Sequence, residues 1–391
     1  MKYKILVVLI LLTMITGCYD YHELKQLAIT SGIGIDKGEE KNYKVTAQVL
    51  NTKKSSKEAS SSEIPEFIIY ESEADTIQEA LRLIILESSK RIYANHIQMM
   101  VIGDELAHEG IEDILDVFFR NADSRKQFQV IVAKNTTAKN ILSVITPIEA
   151  ISAEKINETL KTDNRYLGIN EQITFEELVS NYLDETKEIV LPTVTIKGNI
   201  DEGISQDNIE NTIPNTTLVN DSMAIFKEDK LIKYLSKDNS ILLNLIRGKV
   251  KNTLLTYKCD NEKNIVVEIF NTKQKLNTKI NPLTVQIDIK ADASINEITC
   301  NIDLEDEENI KNIREKIEQQ LNNEIETFIK KTLKEEKVDP FLIENNLYKN
   351  HNKYYNQNKK DILKKIEDID IKVKSNINII EKGNSLKVIT K

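Results

Sequence analysis

IQMMVIGDELAHEGIEDILDVFFR, residues 97–120, changes its hydrophobic period partway along. Residues 97–102 are almost wholly apolar, which is the composition of a strand buried on both faces. From Asp104 through Phe119 the apolar residues recur as Leu106, Ile111, Leu115 and Phe118, the spacing of one helix face. The flanks repeat the alternation. Phe67 to Tyr70 read as a strand, and Asp75-Thr76 open a helix with Ile77, Leu81, Ile84 and Ile85 on one side. Gln127 to Ala133 read as a further strand. Strands alternating with helices between 67 and 133 predict βαβ units within a mixed sheet.

Outward from this block the pattern continues. A strand through Ile29, Ile33 and Ile35 ends at Asp36-Lys37-Gly38, and Val45, Ala47 and Val49 alternate with polar residues as a half-buried strand. Residues 51–63 are rich in Ser and Lys and read as an exposed loop. Shorter helices are expected over 149–161 and 174–184, the second with a capping box of Thr174 and Glu177. Pro192 places the strand 188–197 at a sheet edge. Residues 198–216 lack apolar periodicity and read as a linker. The second half opens with strand signals over 217–235 and a helix over 238–247. Strands at 264–270, 283–290 and 293–302 predict an antiparallel sheet, and one long amphipathic helix spans about 306–336. Residues 369–380 form a last strand. The expected class is α+β, multi-domain, with mixed β-sheets and packed helices. Its divisions are a leader over 1–17, an N-terminal α+β domain over 18–197, a linker over 198–216 and a C-terminal α+β domain over 217–391. Whether the last is one unit or two sub-domains stays open.

The 391 residues carry a formal net charge of −9, the wrong sign for a chain that must neutralise phosphates, so no nucleic-acid partner is expected. Only one continuously apolar stretch occurs, Ile5 to Leu12, which excludes a polytopic membrane protein. That stretch follows Lys2 and Lys4 and precedes Ile15-Thr16-Gly17-Cys18, the layout of a bacterial lipoprotein signal. The small residues at 16 and 17 let an extended backbone enter a peptidase groove, and the Cys18 thiol can accept a diacylglyceryl group. Cys18 is therefore the expected lipid-attachment residue, which puts the chain on a membrane surface outside the cytoplasm.

Catalytic and metal motifs are missing. His22-Glu23 resembles the start of HExxH, but position 26 is Gln. Gly32 and Gly34 give a Gly-x-Gly, yet the dinucleotide fingerprint is not completed. There is no phosphate loop, no nucleophile elbow and no CxxC. Neither a cofactor, a metal site nor a catalytic residue is expected. Cys259 and Cys300 could pair or remain separate buried thiols.

An ordered set of blocks resembles the Ger(x)C family, the lipoprotein C subunits of nutrient germinant receptors in endospore-forming bacteria. Cys18-Tyr19-Asp20 through Glu23-Leu24 is similar to the family opening C-W-D-x-x-E-L, with Tyr19 in place of Trp. Ile33-Gly34-Ile35-Asp36-Lys37 resembles its G-I-D-K strand end. Arg91, Tyr93 and His96, then Ile102-Gly103-Asp104-Glu105-Leu106-Ala107 and Gly110-Ile111, resemble its most distinctive block, extended by Asp116, Arg120 and Arg125. Leu191-Pro192, Ala224-Ile225-Phe226-Lys227 and Asp339-Pro340-Phe341 with Tyr348 follow in family order. Tyr354 and Tyr355 stand where the family usually carries Trp.

The resemblance implies a non-catalytic subunit, lipid-anchored to the outer face of the spore inner membrane. Its partners would be a polytopic A subunit and a transporter-like B subunit. Asp36, Arg91, Tyr93, His96 and Glu105 then become subunit-contact or structural residues. Asp36 is expected to cap the turn before Gly38. Arg91 either pairs with a carboxylate while His96 is hydrogen-bonded inside the first domain, or these residues line a contact surface. Two other classes stay open. A solute-binding lipoprotein would need two similar lobes, and a surface-anchored hydrolase would need a nucleophile or metal site.

Overall fold

The run at 97–102 is apolar on both faces because both are covered. The structure, a computed structural model, describes Tyr3 and residues 27–51, 64–121, 125–259 and 263–381. The first half contributes β1 (Leu27–Lys37), β2 (Tyr43–Leu50), β3 (Phe67–Ala74), α1 (Ile77–Leu83), β4 (Arg91–Tyr93) and β5 (Met99–Ile102). It continues with α2 (Asp104–Glu109), α3 (Glu112–Arg120), β6 (Gln129–Ala133), α4 (Ala138–Ser143), α5 (Ser152–Tyr166), α6 (Phe175–Leu183) and β7 (Val190–Lys197). Met100 and Ile102 of β5 face a core shared with Ile77, Leu106, Leu115, Phe118 and Phe175. Met99 and Val101 face the opposite core, with Ala138, Leu142, Ala153 and Ile156. The sheet is thus the middle of three layers, and period-2 alternation disappears because neither face meets water.

The strand order is β3-β2-β1-β5-β6-β7-β8-β9, where β8 is Thr217–Lys227 and β9 is Lys230–Tyr234, with β4 paired to β1 off this path. β1, β5, β6 and β7 run parallel, flanked by antiparallel pairs on both sides. The Gly-x-Gly of β1 is a packing device: a Cβ on Gly34 would stand 2.9 Å from the Cβ of Ala138 on α4. Helix α4 therefore lies directly on the strand.

The second sheet is β10 (Asn252–Lys258), β11 (Asn264–Ile280), β12 (Leu283–Ile298) and β13 (Asp370–Glu381), in that order. Helix α7 (Lys237–Ile246) precedes it, and α8 (Glu307–Lys331) and α9 (Ile343–Asn350) follow β12. The α8 stripe of Ile313, Ile317, Leu321, Ile325 and Phe328 packs on Val267, Val285 and Ile287 of this sheet. Asp306 caps its first turn, and Lys330 and Lys331 sit at its last, both in accord with the helix dipole. Cys259 and Cys300 are joined as a disulfide, with Cα atoms 6.5 Å apart.

Several expectations change. The helix expected over Asp104–Phe119 breaks at Gly110, whose φ of +139° lies outside helical space. Strand β7 is internal; Pro192 is accommodated because the β7–β8 register shifts between Pro192 and Val194. Residues 198–216 are no plain linker. They hold short helical turns at Ile200–Gly203 and Asp207–Glu210, and Asn208 is buried, bonding both Ile145 O and Thr216 O. The first sheet then resumes, so β8 and β9, expected to open the C-terminal domain, complete the N-terminal sheet. The strands expected at 283–290 and 293–302 are one strand, and β13 pairs parallel to β12, so the second sheet is not purely antiparallel. Helix α8 continues as a π turn over Thr332–Glu336. Apart from Tyr3, the leader, Cys18 and most of the 51–63 loop lie outside the described residues.

Candidate functional site

Asp36 ends β1 in a buried position, 4% exposed. Its carboxylate accepts the backbone N–H groups of Ala138 (2.7 Å) and Lys139 (3.0 Å), the unsatisfied donors at the start of α4. It therefore caps a helix about a hundred residues away and not the turn before Gly38. Burial pushes its carboxyl up, opposed by those two N–H groups. Gly103 makes room for it: a Cβ there would meet Asp36 Oδ1 at 2.0 Å. The next residue, Asp104, accepts the Asn135 N–H at 3.0 Å and the Tyr234 hydroxyl. Glu105, on the outer side of α2, pairs with Lys37 at 2.8 Å, and Glu109 joins the same lysine. The two strand-end blocks, Gly34 to Lys37 and Gly103 to Glu105, thus form one tie between β1, β5, α4 and β9. A buried cap at Asp36 and an exposed ion-pair rim at Lys37 hold these elements in position.

Arg91, Tyr93 and His96 lie elsewhere, the first two on β4 and His96 at the end of the 3-10 turn Ala94–His96 that follows it. Their segment pairs parallel with the first three residues of β1, Leu27 with Arg91 through Ile29 with Tyr93. The Tyr93 hydroxyl accepts the Asn95 amide at 3.0 Å, and the His96 ring stands 5.4 Å from the Tyr93 ring. His96 is exposed, so the expectation of a histidine hydrogen-bonded inside the domain is not met. Arg91 and Tyr93 line a cleft of about 710 Å³ with Leu27, Arg82, Ile85 and Phe118. The two groups of motif residues are not brought together.

Sequence reasoning missed a third feature, the junction of the two halves. Glu188, Asp339 and Glu344 are largely buried there, and loss of water raises them to about 7, 6 and 7, with mutual repulsion adding to the effect on Glu188 and Glu344. Asp339 is held by the N–H groups of Phe341 (3.1 Å) and Glu344 (2.6 Å), while Tyr355 donates to Glu344 at 3.0 Å. Asn345 reaches across to Thr186 at 2.6 Å. Nothing in the spacing of Glu188 signals this; only the Asp-Pro-Phe block and Tyr355 pointed to the region. Among the described residues no cluster of three or more His, Cys, Asp or Glu could hold a metal ion, and no helix is long and apolar enough to cross a membrane. The two sheets differ in size and connection, unlike the paired lobes of a solute-binding lipoprotein.

Fold and site together define a two-sheet α+β protein whose motif residues serve as ties and cleft walls. The family model described as "Spore germination protein N-terminal domain" matches residues 20–196, and the one described as "Spore germination B3/GerAC like, C-terminal" matches 221–383. The chain belongs to the Ger(x)C family of spore germination proteins. It is 29% identical over 338 residues to spore germination protein KC of Bacillus subtilis (strain 168), covering 84% of this chain and 83% of that protein. Spore germination protein B3 of the same organism is 22% identical, with 97% and 98% covered. The crystal structure of the GerBC protein superposes with a TM-score of 0.53 at 18% identity, over 92% of this chain and all of that one, which shows the shared fold.

Proposed function

We propose that the chain is a lipid-anchored, non-catalytic subunit of a spore nutrient germinant receptor. A diacylglyceryl group on Cys18 holds it to the outer face of the spore inner membrane, where it docks on a polytopic A subunit and a transporter-like B subunit and couples nutrient recognition to germination. The observation that carries this reading is the match of residues 20–196 and 221–383 to two spore-germination family models, and the sequence pattern before them has the layout of a lipoprotein signal. The ties and packed cores fit a scaffold role. The anchor adds a physical advantage: confining the subunit to the membrane plane turns weak contacts with its partners into encounters at raised effective concentration. Spores lacking the chain test it. They should lose the response to one class of nutrient, regain it on complementation, and germinate normally with a non-nutrient trigger. Normal germination to every nutrient would contradict the reading.

A further inference from the structure

Four large apolar side chains are exposed on neighbouring elements of the first half. Leu83 ends α1 at 37% exposure, Ile85 and Leu86 follow at 40% and 82%, and Phe119 on α3 stands at 59%. The elements that carry them meet at the β4 cleft, whose wall includes Arg82, Ile85 and Phe118. A soluble protein seldom concentrates such residues without something to cover them.

The same stretch is basic in an acidic chain. Residues 81–91 carry Arg82, Lys90 and Arg91 against Glu87 alone, while the whole chain has a net charge of −9. The sequence leading back to Cys18 starts from this cleft. Leu27, the first residue of β1, lies on the cleft wall, and Cys18 is nine residues upstream. At a maximum of roughly 3.3–3.6 Å per residue, that segment reaches about 30 Å when fully extended.

We propose that this face, formed by Leu83, Ile85, Leu86 and Phe119 with Arg82 and Arg91 at its rim, rests against the lipid bilayer. The proposal rests on the reading of Cys18 as the lipid-attachment residue. Apolar side chains enter the headgroup boundary, while arginine and lysine meet anionic headgroups, the combination that holds interfacial segments in place. With the tether and this face both engaged, the chain takes one orientation on the membrane and directs its second sheet to partner subunits.

The absence of Trp from the chain provides a clean reporter. Leu86→Trp and Phe119→Trp are made singly in the full-length lipidated protein, with Leu254→Trp on β10 as a reference. Each is added to phosphatidylglycerol/phosphatidylethanolamine vesicles with and without brominated acyl chains. The proposal expects blue-shifted emission quenched by bromine at positions 86 and 119, and neither effect at 254. Sedimentation with the vesicles separates the two readings. If the protein sediments but 86 and 119 behave like 254, the anchor reading stands and the face proposal falls. A protein that stays in the supernatant overturns the anchor reading and the proposal with it. If lipid leaves the emission unchanged while Leu86→Glu removes the A and B subunits from the purified complex, the face is a protein contact and the proposal is overturned.

Discussion

At Gly103 the missing side chain does structural work. Its hydrogen faces the buried Asp36 carboxylate, where a methyl group would stand 2.0 Å from an oxygen. Gly103→Ala should therefore displace Asp36 from the two N–H groups of α4 and lower stability by about 2–4 kcal/mol, read from urea unfolding midpoints. An unchanged midpoint would mean that Asp36 is free to move. Glu105→Ala should leave the urea midpoint nearly unchanged, because its pair with Lys37 is solvent-exposed. The sequence singled out Asp36 and Glu105 but assigned Asp36 to a local turn, whereas it caps α4. A carboxylate beside Gly38 looks like a local turn cap, and only the sheet order brings Ala138 to it.

Elements with strong periodicity were readable and those settled by long-range pairing were not. The apolar stripe from Ile313 to Phe328 and the capping box at Thr174 follow from local spacing, and both stand in the structure. Pro192 misled because its place in the sheet depends on a register shift opposite β8, and Gly110 ended a helix whose apolar steps ran on through it. The pairing of Cys259 with Cys300 depended on how β10, β11 and β12 come together. Closing a loop of that separation, 41 residues, restricts the unfolded chain. Cys300→Ser should lower stability by about 2–4 kcal/mol, and a reducing agent should then change nothing further. If the wild-type midpoint is equally insensitive to reductant, the bridge does not contribute.

Across the whole molecule the two sheets are coupled. Val190, Met223 and Ile225 of the first sheet share a core with α7, α8 and the second sheet, so the expected linker does not separate independent cores. The composition of residues 198–216 hid this, because polar loops and polar buried caps such as Asn208 look alike in sequence. The junction should also respond to pH. Glu188 and Glu344 are raised from 4.5 to about 7, and Asp339 from 3.8 to about 6, chiefly by burial. Between those limits these three groups retain protons in the folded chain that they release in the unfolded one, so their contribution to stability is greatest at the acid end of that window and declines as pH rises through 7. Glu188→Gln should raise the urea midpoint at pH 8 and leave it nearly unchanged at pH 5. An equal shift at both would show that Glu188 does not titrate in the fold.

Under the proposed function, a lipid-tethered chain is required to hold a receptor together. The direct measurement is affinity purification of the chain from inner membranes of spores carrying Cys18 or Cys18→Ala, with the co-purified A and B subunits quantified. The wild-type chain should bring both subunits with it. Cys18→Ala should leave the membrane fraction, lose both and abolish the response to one nutrient class. Retention of both subunits and of full nutrient response by Cys18→Ala, with the wild-type protein abundant in spores, would contradict it.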